Sequence, residues 1–281
     1  MTAPGQPPPG AARLAHPVLA DPVLADPGLA DPGLADPGLA VRATSLLTGI
    51  TQRIGQVLAR VTDIGAAAES IAAATQAAGP PLRRDDFSPL RRLVKELLRA
   101  QAGLAAGAGI VLAPGTLADA PRCIEWWWAD PQAQVSKLHV DLDPESAEFY
   151  DYTTTEWYRE PERTGQPSVA GPYVDFICTR EYTFTLAAPI RCAGRFIGVA
   201  GADILAAQVE RLVLPGLAGL GRTAVLASGH GRVIVSTSAT LPPGAALPRA
   251  PRQAGFTPLA GPGAGQPPGL LPWSLFTVPT V

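Results

Sequence analysis

The chain has 281 residues, 47% of them hydrophobic and 16% charged, which is enough apolar material for a sizeable core in one or two domains. A formal net charge of -2, with lysines and arginines scattered apart from Arg83-Arg84 and Arg91-Arg92, gives no broad electrostatic reason to bind nucleic acid. No apolar stretch reaches the ~20 residues that cross a bilayer, and no basic region near the N-terminus leads into an apolar core and cleavage site, so no membrane partner is expected. Cys123, Cys178 and Cys192 form no CxxC pair, and their odd number argues for free thiols and a cytoplasmic location.

From His16 to Ala40 the chain repeats a Leu-Ala-Asp-Pro-Gly/Val unit, whose regularly spaced prolines forbid a continuous helix. Residues 1–43 are expected to form a disordered tail rich in Pro, Ala and Asp. Over residues 44–78 apolar side chains recur at helical spacing, at Leu46, Leu47, Ile50, Ile54, Val57, Leu58, Val61, Ile64 and Ile71, which predicts one long helix ended by Gly79-Pro80-Pro81. An exposed part of that stripe is a candidate surface for a homodimer. A second helix is predicted over 88–102, with Leu90, Leu93, Val94, Leu97 and Leu98 inward.

Strands are predicted at 110–113, 124–128 and 135–142, a helical passage at 144–158, strands at 173–178, 181–189 and 195–203, and a returning helix at 205–214. After Pro215 glycine and proline become dense, with weaker strands at 223–227, 232–236 and 274–278 around a long proline-rich loop. Residues 44–214 read as one domain and 215–281 as a smaller second lobe.

The segment 149–204 gathers Tyr150, Trp157, Tyr158 and Tyr173 near two isolated carboxylates, Asp175 and Asp203. Ring faces attract a positive charge, and a partly dry carboxylate accepts charge-assisted hydrogen bonds from an amine, so this is a candidate site for a small cation. Asp175 falls inside an apolar strand, where a carboxylate is costly unless it faces a polar cavity or a partner. Asp203, at a strand end, has a second reading as the cap of the following helix. In Glu125-Trp126-Trp127-Trp128, strand alternation sets Trp127 opposite its neighbours; Trp127 is a candidate pocket wall, with packing between sheet and helices as the alternative.

Tyr173-Val-Asp175, Tyr182-Thr-Phe-Thr-Leu-Ala-Ala-Pro189 and Gly194-Arg-Phe-Ile-Gly-Val-Ala-Gly-Ala-Asp203 resemble the sensor domains of the Cache family, over about residues 44–214. The resemblance implies an α+β fold: a PAS-like antiparallel sheet packed on a long N-terminal helix, with residues 215–281 as a reduced second α/β module. It also implies a ligand site. In amino-acid-binding members one helix-loop passage supplies tyrosine, arginine, tryptophan and tyrosine to the ligand carboxylate, and a later tyrosine with two aspartates holds its ammonium. Tyr150, Trp157 and Tyr158 match the first group and Tyr173, Asp175 and Asp203 the second, but Thr155 stands where the arginine belongs. Losing that guanidinium removes the main anchor of a zwitterion and costs a plain amine nothing. Arg159 and Arg180 are the candidates for a displaced positive charge, which keeps amino acids in view.

The expected function is therefore a sensor for an amine or amino acid, without cofactor or metal, whose output passes through an unidentified signalling or regulatory protein. The alternatives are an enzyme of amine or amino-acid metabolism with Asp175 as general base, and an adaptor with a vestigial pocket. The other motifs carry less. His139, Asp141 and Asp143 form a lone cluster on a solvated edge, Gly103 to Gly109 follow a helix rather than a strand, and Ser228-Gly-His230-Gly lacks the setting of a nucleophile elbow.

Overall fold

The computed structural model describes residues 36–130, 132, 134–175, 181–261 and 271–279. Helix α1 (Pro37–Ala78) buries Ile50, Ile54, Val57, Leu58, Val61 and Ile64, the three-and-four spacing read from the sequence. At 42 residues it is about 63 Å long, enough to underlie two sheets.

It begins earlier than expected. The Asp36 side chain accepts the backbone N–H groups of Gly38 and Leu39 at 2.9 and 3.2 Å, and Pro37 occupies the first turn, where a missing N–H costs nothing. The last repeat unit thus starts the helix instead of ending a tail, and Leu39 and Ala43 are buried. The rest of the repeat, residues 1–35, lies outside the described residues, as do Cys178 and Arg180. Cys123 and Cys192 are free, buried thiols.

A 3-10 turn (Arg84–Phe87) leads into α2 (Leu90–Ala100), which buries Leu90, Val94, Leu97 and Leu98. Strands β1 (Gly107–Leu112), β2 (Cys123–Ala129), β3 (Val135–Lys137), β4 (Ser168–Val174), β5 (Tyr182–Cys192) and β6 (Arg195–Leu205) form one antiparallel sheet in the order β3-β2-β1-β6-β5-β4. Strand β3 stops at Lys137, short of the expected 142. Asp141 and Asp143 instead accept backbone N–H groups two residues on, a local pairing that competes with the ladder. The helical passage expected at 144–158 is mostly turns; a 3-10 turn (Tyr152–Thr154) precedes α3 (Glu156–Thr164).

The sheet has two apolar faces. Ile110, Leu112, Trp127, Phe184, Leu186, Ala202 and Ile204 pack toward α1 and α2, whereas Val111, Trp126, Ala187 and Val199 pack with Tyr152, Trp157 and Tyr158 on the α3 side. Helix α4 (Ala206–Ala218) then leads to β7 (Ala224–Ala227), β8 (Val233–Ser236), β9 (Thr257–Ala260) and β10 (Ser274–Thr277), a second antiparallel sheet in the order β8-β7-β10-β9. Strand β9 falls in the stretch expected as loop. It is an edge strand, where Pro258 lacks only a hydrogen bond that no neighbour needs. Phe184 and Trp273, with ring centroids 5.3 Å apart, join the two sheets.

Val41 is the one large exposed apolar side chain among the described residues, and the apolar stripe of α1 packs largely on the protein's own sheets. None of the described helices is long and apolar enough to cross a membrane. Asp36→Ala is expected to lower stability by about 1 kcal/mol, read as a lower urea midpoint at unchanged m-value.

Candidate ligand-binding site

A cavity lies on the α3 side of the larger sheet and encloses about 370 Å³, its open mouth included. Five of the seven expected residues line it: Tyr150, Trp157, Tyr173, Asp175 and Asp203. Asp203 lies within β6, two residues before its end, and Leu205 takes the α4 cap position, so the helix-cap reading of Asp203 does not hold. Asp175 follows β4, its backbone N–H donating to the Glu181 carbonyl at 3.0 Å. Both carboxylates are only 7% exposed.

Thr155 and Tyr158 are absent from the lining. Thr155 sits at the cap of α3 and donates its hydroxyl to the Tyr152 carbonyl at 2.7 Å. Tyr158 is fully packed, with Tyr152 at 5.4 Å and Phe196 at 5.4 Å between ring centroids. Trp127 is corrected as well. Strand parity turns it into the core beneath α1 and α2, and it is Trp126, on the opposite face, that reaches the cavity. Arg159 is exposed on α3 and takes no part in the lining.

Two polar residues that the sequence reading missed complete the acidic end. Thr185 donates to Asp203 Oδ1 at 2.7 Å, and its Oγ1 lies 2.6 Å from the Tyr173 hydroxyl. Thr185 stands directly opposite Asp203 across the β5–β6 hairpin, in a register set by the one-residue shift between Ile190 and Arg191. Trp126, the other, brings the N–H end of its indole over Gly107, the cross-strand neighbour of Asp203. Val111, Ile124, Leu138 and Val140 supply the apolar wall, the last two from the loop after β3.

Burial pushes the Asp203 carboxyl up from an ordinary 3.8 to about 7; hydrogen bonds from Thr185 and Trp126 hold the rise back, and the nearby Asp175 charge adds to it. Burial likewise raises the Tyr173 hydroxyl well above its usual range, with Asp203 contributing, so it stays protonated. Among the described residues the lining is acidic and aromatic and holds no Arg, Lys or His. Asp141 and Asp143 are used in their own turns, and no group of three or more metal-ligating side chains occurs among the described residues.

A PAS-like sheet carried on a long helix, with a cavity on its open face, defines a ligand-sensing domain of the PDC or Cache class. Residues 90–210 match the family model of the first PDC sensor domain of methyl-accepting chemotaxis protein-like receptors. The α+β fold read from the motifs is therefore correct.

Solved structures agree on the fold. Methyl-accepting chemotaxis protein X aligns at a TM-score of 0.61 and 15% identity, over 86% of this chain and 97% of that one. The ligand-binding domain of the Pseudomonas aeruginosa amino acid chemoreceptor PctB, in complex with L-Gln, aligns at 0.56 and 18%, over 86% and 89%. That of the chemoreceptor PctC from the same organism, in complex with GABA, aligns at 0.52 and 19%, over 85% and 97%.

The folded protein keeps the Asp203 proton over a pH range in which the unfolded chain has released it. The stability this contributes is complete below the ordinary carboxylate pKa and is lost as pH rises through about 7. Accordingly, the Tm of the ligand-free protein should fall more between pH 4 and 7 than that of Asp203→Asn; parallel curves would contradict the burial of this group.

Proposed function

We propose that the chain is a sensor that captures a protonated amine and passes the event to a partner protein. The observation that carries this is the placement of Asp175 and Asp203 together in an aromatic cavity whose described lining holds no basic residue. An ammonium can pair with both acids and gains from the faces of Trp126, Tyr150, Trp157 and Tyr173. Primary or quaternary amines and short polyamines fit this chemistry. The two Pseudomonas receptors are solved with GABA and L-Gln, ligands that pair an ammonium with a carboxylate. Here Thr155 offers such a carboxylate no charge, and only the amine half of that recognition is retained.

Binding would desolvate the ammonium against Asp175 and Asp203, draw the aromatic wall inward and bias the sheet against α1. A ligand shifts that equilibrium only by its differential affinity for the two arrangements. The receiving partner is a signalling or regulatory protein that responds to α1 or the second sheet.

The reading is tested by thermal shift and calorimetry at pH 8 with alkylamines, α-amino acids and carboxylates. A ligand at a hundred times its Kd adds about 2.7 kcal/mol of stability. Amines should bind, and Asp175→Ala should abolish binding with little loss of Tm. Tighter binding of α-amino acids than of the amines lacking the carboxylate would overturn the assignment. Amine affinity should also fall about tenfold per pH unit below 7, because capture requires ionised Asp203.

A further inference from the structure

Trp126 differs from the other rings of the cavity because it is seated over two glycines of the sheet. A side-chain carbon at Gly107 would stand 2.7 Å from its Nε1, and one at Gly201 would stand 2.9 Å from the far edge of its six-membered ring. The indole therefore spans β1 and β6, with one end over each glycine, and neither position tolerates a Cβ while the ring stays where it is. Gly107 is the direct cross-strand partner of Asp203, which places the indole N–H end beside that carboxylate. The pairing of Trp126 with Gly109 and of Gly109 with Gly201 fixes the ring's other end by the same register.

We propose that Trp126, seated on Gly107 and Gly201, is the positioning residue of this site: its indole N–H fixes the Asp203 carboxylate, and through it the place of the ligand's ammonium. The proposal rests on the amine reading for its ligand, but the placement of the indole beside the carboxylate is a property of the ligand-free protein. Asp203 then has two donors on two sides, Thr185 from β5 and Trp126 from β2, and cannot rotate away from the cavity. The carboxylate sites left over face inward, where an ammonium would meet both the acid and the ring. Among the described residues the titratable groups facing Asp203 are Asp175 and Tyr173 from the β4 side and Tyr150 from the loop before α3.

The test uses the full chain. The Asp203 carboxyl carbon is followed by NMR through a pH titration without ligand in wild type, Trp126→Phe and Gly201→Ala. The first variant keeps a ring and removes the N–H; the second keeps the indole and lifts it off its bed. Both should move the titration midpoint upward, and both should weaken n-butylammonium binding at pH 7 by about tenfold per unit of that shift. A purely structural role would lower Tm without moving the midpoint. An unchanged midpoint in Trp126→Phe overturns the proposal even if n-butylammonium binds; should Gly201→Ala fail to fold, Trp126→Phe decides alone. A raised midpoint in a protein that binds no amine at pH 8 supports the positioning role and sinks the amine reading instead.

Discussion

The site depends on keeping a carboxylate in a place with little water. Asp203 lies on the inner face of a central strand, where desolvation opposes its charge, and the arrangement around it answers that opposition with fixed donors. Thr185 stands across the hairpin, Tyr173 lies against Thr185, and the indole approaches from β2. Ordinary antiparallel pairing places these groups together without a dedicated loop.

The same sheet does two jobs because alternate residues face opposite ways. Along β6, Ala200, Ala202 and Ile204 feed the core under α1, and Val199, Gly201 and Asp203 lie on the opposite face, where Asp203 lines the cavity. A change in cavity shape is thereby one strand thickness away from the long helix. Phe184 extends that contact from the first sheet to Trp273 of the second, so both sheets and α1 share a continuous apolar interior.

Much of this was legible in the sequence because it rests on short-range rules. The helical spacing of Ile50 to Ile64 and the hairpin around Gly194 dictate α1 and β5–β6, and the Tyr173-Val-Asp175 phrase locates the acidic end. What escaped depends on parity and on competition. Three consecutive tryptophans gave no sign of which face met the cavity, because a single-residue shift of register exchanges Trp126 and Trp127. Thr185 is chemically unremarked until its partner across the strand is known. The turns at Asp141 and Asp143 defeated a strand that hydrophobic alternation favoured, and β9 formed at an edge despite Pro258.

The start of α1 has a consequence for how such a chain tolerates change. Its cap is the Asp-Pro-Gly-Leu-Ala unit at Asp36, and identical units begin at Asp26 and Asp31. Loss of one five-residue copy would leave the same five letters in front of Val41, with the same cap, the same first-turn proline and the same leucine at the Leu39 position. Repeat number can drift by replication slippage while the folded part of the protein meets an unchanged N-terminal boundary, so the length of the leading segment is uncoupled from the geometry of everything after it.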